Sequence, residues 1–236
     1  MSRMDVAYFE APAPGGQPPH PAPGDPAYRP AKEPIVNAPW PVAVLCVGLV
    51  ALYFIQSRFP IDEVSDALAF SPSVIWSEPR RMITYGFVHG SWAHVLMNAG
   101  FILAFGAPVA RWFGPSLRGV VGFYVFYLVC GILAAFGFAL VHPGQAVPVV
   151  GASGAASGLM GAAARMIAGQ GSLGPLFSRP VGSMAAAWLA VNVIMAFAGG
   201  LLPGAGPAGA AWEAHLAGFM AGVLLVGVFG RLAGRR

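Results

Sequence analysis

The chain is poor in charge. Only 9% of its 236 residues are Asp, Glu, Lys or Arg, against roughly 25% in a soluble domain. That is too few to give a folded body of this size a water-compatible surface. Lysine is almost missing, Lys32 being the single one. No basic run interleaved with aromatics occurs, so no nucleic acid is expected as a partner. Cysteine is equally scarce. Cys46 and Cys130 each sit inside an apolar run, where they read as small buried side chains and not as a disulfide or metal pair. No apolar stretch lies close to the start of the chain, so no cleavable secretory signal is expected.

What the chain does have is apolar length. Hydrophobic residues make up 57% of it, mean hydropathy is +0.68, and the apolar residues come in long runs that indicate membrane spans. Six candidate spans are expected, at 40–57, 92–113, 119–141, 151–168, 183–202 and 211–230, each near the ~20 residues a bilayer core requires. The fold class expected is all-α, a polytopic six-helix membrane bundle over residues 39–231. The fourth span is weak by hydropathy because Gly, Ala and Ser dominate it. Small residues let backbones approach closely, which places this span at the centre of the bundle, away from lipid. Residues 1–38 are a different material, with nine prolines between Pro12 and Pro34 and few apolar side chains to offset the entropy of ordering. They read as a disordered tail.

Arg and Lys in the flanks set the orientation. One set of connections carries ten of them and the other only Arg58, Arg80 and Arg81, which puts both termini in the cytoplasm. The longest external connection, 58–91, mixes charged with apolar residues and is expected to hold short amphipathic helices at the interface. Gly169-Gln170-Gly171-Ser172-Leu173-Gly174 spells a dinucleotide fingerprint, but it follows a span and not a strand, and Pro175 interrupts any helix after it.

With that topology, His94 and Asn98, Ser153, and His215 all fall in the first two turns of spans two, four and six, near the external face. Polar groups in spans are costly and usually face a bundle interior or a wet cavity. His94 and Asn98, four apart, share a helix face. In span six, His215, Gly218 and Gly222 share another, and in span four Gly154 and Gly158 have the same small-residue spacing. If those two faces meet, His215 points at the helix carrying Ser153, as a serine–histidine pair requires. The nearest acidic residue, Glu213, lies on nearly the opposite face from His215. The arrangement therefore reads as a dyad without a carboxylate. His94, Asn98 and the backbone N–H of Ser153 are placed to hold an oxyanion. Singly, each residue has a plainer explanation: helix packing for Ser153, a bundle hydrogen bond for His215, an interhelical clamp for His94 and Asn98. Ser157, one turn after Ser153, competes as nucleophile. His89, at the loop–span junction, reads as a brace for the loop. His20 and His142 have no chemical role assigned.

Three pieces taken together, His89-x4-His94-x3-Asn98, Gly151-Ala152-Ser153-Gly154 and Ala214-His215-x2-Gly218-x3-Gly222, resemble the rhomboid intramembrane serine proteases. The likeness covers about residues 40–230 and leaves the tail unmatched. It implies Ser153 as nucleophile in preference to Ser157, and His215 as general base. It further implies His94 and Asn98 in the oxyanion hole and His89 in the hydrogen bonding that shapes the first loop. It implies cleavage of transmembrane substrates near the membrane surface, a bacterial-type inner-membrane location and no cofactor. A substrate helix would enter laterally beside the fifth span. Three positions depart from the family pattern. Arg80-Arg81 stands where many members have Trp-Arg, so loop anchoring through Arg81 can differ. Ala110 replaces a common glutamate, and Ser157 replaces a tyrosine that stacks beneath the histidine. The alternative reading is an inactive rhomboid-fold protein that binds or chaperones membrane proteins; retention of both serine and histidine favours the enzyme. A small transporter would share the polar cluster, but the chain shows neither an internal repeat nor paired broken spans.

Overall fold

Among the described residues every long apolar run folds as a helix. The computed structural model describes residues 38–198 and 211–235. The Pro-rich stretch 1–38 therefore lies outside the described residues except for Ala38, as do residues 199–202 of the fifth expected span. The long helices are α1 (Trp40–Gln56), α4 (Trp92–Phe113), α5 (Leu117–Val141), α6 (Ser153–Ala168), α7 (Arg179–Ala198) and α8 (Trp212–Leu232), with the short α2 (Ile61–Leu68) and α3 (Arg81–Thr84) between the first two. Among the described residues there is no β-strand, only isolated bridges.

The starts of these helices follow local chemistry. Ser91 caps α4 by accepting from the His94 N–H at 3.1 Å, and Ser116 caps α5 by accepting from the Gly119 N–H at 3.2 Å. Side-chain oxygens at these positions satisfy donors that the first turn leaves orphaned. The Ser116 cap is why α5 begins two residues ahead of its apolar run. Helix α7 likewise begins at Arg179, ahead of the expected 183, because Pro180 is tolerated in a first turn, where its missing N–H costs nothing.

Among the described residues three helices, α4, α5 and α8, are long and apolar enough to cross a membrane. Helix α1 is apolar but shorter, at 17 residues. Helix α6 has only 16 residues, and Gly154–Ala164 is buried without a break. Its small side chains are the reason. A Cβ built on Gly218 would strike the Gly154 carbonyl oxygen, and one on Gly222 the Gly158 carbonyl oxygen. The glycine face of α8 thus lies directly on the backbone of α6. On the opposite side, Cβ atoms on Gly154 and Gly158 would run into Ala134 and Cys130 of α5. In a bilayer, where lipid competes for apolar surface, such close approach is the main source of helix affinity. Below this seam Leu159, Phe113, Phe123 and Phe126 form the fully buried core with Ile102 and Val109 of α4. Cys46 and Cys130 are both free thiols.

The connection between α1 and α4 carries α2, α3 and two 3-10 turns, Pro72–Val74 and Tyr85–Phe87. Its arginines hold it together. Arg80 and Arg81 contact Glu78 at 2.6 and 2.8 Å, and Arg81 also donates to the Ala69 carbonyl at 3.2 Å. The Arg81 hydrogen bond, with Arg80 adding to it, holds the Glu78 carboxyl below its usual range. Tyr85 then pins the loop to the bundle, its hydroxyl donating to the Gly131 carbonyl at 2.7 Å. At the other end of α6, the Gly169–Gly174 stretch is a tight turn. Gln170 and Gly171 both have positive φ, 52° and 95°, and the Arg165 guanidinium donates to the Gly174 carbonyl at 2.9 and 2.8 Å. This is a helix-closing turn with no strand before it, not a nucleotide cradle.

Candidate active site

The first turns of α4, α6 and α8 come together with one face of α7. The chain leading into α6 is held rigidly on the loop. The Gly151 N–H donates to the Tyr85 carbonyl at 2.9 Å, and the Ala152 N–H points at His89 Nε2 at 3.4 Å. Gly151 has φ +116°, where only glycine is comfortable. A Cβ there would lie 2.7 Å from His94 Nε2 and 3.4 Å from Asn98 Nδ2. Both polar atoms from α4 therefore look onto the backbone just before Ser153.

Two observations identify these atoms as donors. Gly90 N–H lies 3.5 Å from His94 Nδ1; a ring nitrogen that accepts there leaves the proton of a neutral imidazole on Nε2. Asn98 is 2% exposed, and its Nδ2 has no hydrogen-bond partner. Buried amide groups are nearly always paired, so an unpartnered one beside a serine needs a reason.

Ser153 is the first residue of α6, so its N–H is among those that a helix start leaves without an internal acceptor. Its side chain is half-buried while its neighbours are buried. Its Oγ lies 2.7 Å from His215 Nε2, within hydrogen-bond reach. Ser157 is differently occupied. It is 1% exposed, and its hydroxyl donates back to the Ser153 carbonyl at 2.8 Å, a common i−4 habit of helical serines. Glu213 faces away from His215 and meets His142 Nε2 at 3.0 Å.

Reasoning from sequence missed one neighbour. His215 Nδ1 is hydrogen-bonded to Asn192 Oδ1 of α7. Beside it, the Trp188 ring lies 5.6 Å from the His215 ring. The available signal was Asn192 itself, a polar residue in an apolar run, which by default marks a site in a membrane segment.

His89 sits at the junction of loop and bundle, fully buried, with His94 edge-on at 5.1 Å between ring centres. Gln56 clamps its backbone from α1, donating to the His89 carbonyl at 2.5 Å and accepting from its N–H at 3.0 Å. Burial, with His94 adding to it, pushes the His89 imidazole down to about 3, from an ordinary value near 6.5. The unfolded chain then binds the proton first as pH falls. Stability from this neutral histidine is complete above about pH 6.5 and is lost progressively toward pH 3. The wild-type Tm in detergent should therefore fall more between pH 7.5 and pH 4 than that of His89→Gln, which keeps an acceptor without titrating. Equal drops in the two proteins would refute this account.

Comparison with known proteins agrees with this architecture. The model of the rhomboid domain matches residues 77–232, more than half of the chain, and takes in α3 to α8 with every residue of the cluster. No curated protein matches the chain. With three helices of membrane-crossing length and this match, the protein is an all-helical integral membrane protein, and it belongs to the rhomboid family.

Proposed function

We propose that the protein is an intramembrane serine endopeptidase that cuts transmembrane segments of other membrane proteins near the external face. The observation that carries the reading is the 2.7 Å contact between Ser153 Oγ and His215 Nε2, beside a buried amide donor with no partner. Ser153 Oγ attacks the scissile carbonyl while His215 Nε2 takes its proton. The developing oxyanion is met by Asn98 Nδ2–H, His94 Nε2–H and the Ser153 N–H. His215 returns the proton to the leaving amine as the C–N bond breaks. Water, deprotonated by the same imidazole, then hydrolyses the acyl-enzyme.

In this reading α1, α4, α5, α6, α7 and α8 are six spans of a domain over residues 39–231, preceded by a Pro-rich tail. The bias of ten cationic residues against three supports cytoplasmic termini, as in a bacterial inner membrane. The site then lies close to the outer surface, where water can reach it, with lipid as the surrounding solvent and no cofactor.

The second reading, an inactive rhomboid-fold binding protein, is separated from the first by labelling with a fluorophosphonate probe. Wild type and Ser157→Ala should label, and Ser153→Ala should not. Labelling lost only in Ser157→Ala would overturn the nucleophile assignment. Folded wild type that neither labels nor cleaves any transmembrane substrate would favour the binding protein.

A further inference from the structure

An imidazole can act as base at Nε2 only while its proton sits on Nδ1, and a partner at Nδ1 decides which tautomer is held. Among the described residues no carboxylate does so. The nearest acid, Glu213, is engaged by His142 at the end of α5. The partner of Nδ1 is Asn192 Oδ1.

Which end of the Asn192 amide faces the ring is fixed independently. Its Nδ2 donates to the Trp188 carbonyl one turn earlier, at 2.8 Å. That leaves Oδ1 toward His215, and an amide oxygen can only accept. Nδ1 must therefore carry the proton, which frees the Nε2 lone pair for Ser153. Asn192 is itself only 3% exposed, on the α7 face that Val181, Met184, Ala185 and Trp188 pack against α6 and α8. The same face brings the Trp188 ring against the imidazole. With serine at position 157, whose hydroxyl is turned to its own backbone, α6 presents no ring there.

We propose that Asn192 is a positioning residue that completes a Ser153–His215–Asn192 arrangement, its Oδ1 holding the base in the Nδ1–H tautomer. The inference rests on the serine-protease reading above. It requires that α7, and not only α6 and α8, contribute to the chemistry. A neutral acceptor suits a site among apolar helices, because an unpaired buried carboxylate there would carry a heavy desolvation cost.

The test compares wild type, Asn192→Leu and Asn192→Asp, using fluorophosphonate labelling rate, kcat and KM on a transmembrane substrate, pH profile and Tm. Leucine keeps the volume and removes the acceptor. It should lower kcat and the labelling rate by about 10²-fold, the lower end of what general-base catalysis contributes, with KM and Tm near wild type. Aspartate keeps the acceptor and adds charge. The titratable neighbours of His215 are His94 from α4 and, on its own helix, Glu213 paired with His142; Ser153 and Asn192 are neutral. A carboxylate at 192 should therefore recover part of the activity and move the acid limb of the kcat/KM profile upward by about one unit or more. Wild-type kcat in Asn192→Leu, or an acid limb in Asn192→Asp that does not move, would overturn the proposal. If leucine lowers Tm, the aspartate profile decides alone. Wild type that fails to label or cleave instead overturns the parent reading, so the two failures are distinct.

Discussion

Replacing His215 with alanine is expected to reduce cleavage of a transmembrane substrate by about 10⁵–10⁶-fold in kcat, as far as Ser153→Ala does, and the double variant should be no worse. In the proposed mechanism the two side chains act as one unit. The serine hydroxyl is a weak nucleophile until its proton has somewhere to go, and the later proton transfers of the imidazole, to the leaving amine and from the attacking water, follow only once the serine has attacked. The geometry leaves little redundancy. Ser157 is poorly placed to substitute, because its hydroxyl is engaged with the Ser153 carbonyl, and the proposed mechanism uses His94 beside Gly151 as a donor. Steady-state kinetics in proteoliposomes measures this directly. Additive losses in the double variant, or a His215→Ala enzyme within tenfold of wild type, would remove the pair from the mechanism.

Asn98→Ala is expected to lower kcat by about 10²–10³-fold, the cost of one oxyanion donor, with KM nearly unchanged. The stability of the same variant makes this prediction specific. Asn98 Nδ2 has no protein partner to lose, and a buried donor left unpaired costs about 1–3 kcal/mol. Truncation should then leave Tm within a few degrees of wild type while activity collapses. A residue that merely clamped two helices would behave oppositely, losing Tm first and activity only in proportion. Measuring kcat, KM and Tm on one preparation separates the two.

The pattern of legibility has physical causes. Helices α1, α4, α5 and α8 were readable because a bilayer demands an uninterrupted apolar run, and such runs are long enough to count. Helix α6 was readable from its glycines, since close approach leaves small residues at fixed spacing. The seating of Gly218 and Gly222 on the Gly154 and Gly158 carbonyls follows from the same logic, while the glycines of α6 themselves turn toward Ala134 and Cys130 of α5. Helix starts shifted where Ser116 or Pro180 extended a helix beyond its apolar part. The polar residues at helix N-termini could be gathered by depth alone. Asn192 could not, because it lies deep in an apolar segment, and nothing local says which neighbour its amide faces. That needed the packing of α7 on α6 and α8, set by Met184, Ala185 and Trp188. Arg81 was readable as a loop residue, but its hold on the Ala69 carbonyl and the anchoring by Tyr85 were hidden, since backbone carbonyls have no sequence signature.

The glycine seam between α6 and α8 also bears on how the protein meets membranes of different thickness. Mismatch between helix length and bilayer is relieved by tilting and local deformation, at fractions of a kcal/mol per ångström. Helices joined by long side chains can slide past each other to follow it. Helices α6 and α8 cannot, because Gly218 and Gly222 rest directly on the Gly154 and Gly158 carbonyls and Gly161 on the Phe219 carbonyl, and any shear would drive backbone into backbone. The two must tilt as one body. The distance between serine and histidine is thereby a property of the main chain, and a thinner or thicker bilayer reorients the pair without stretching it.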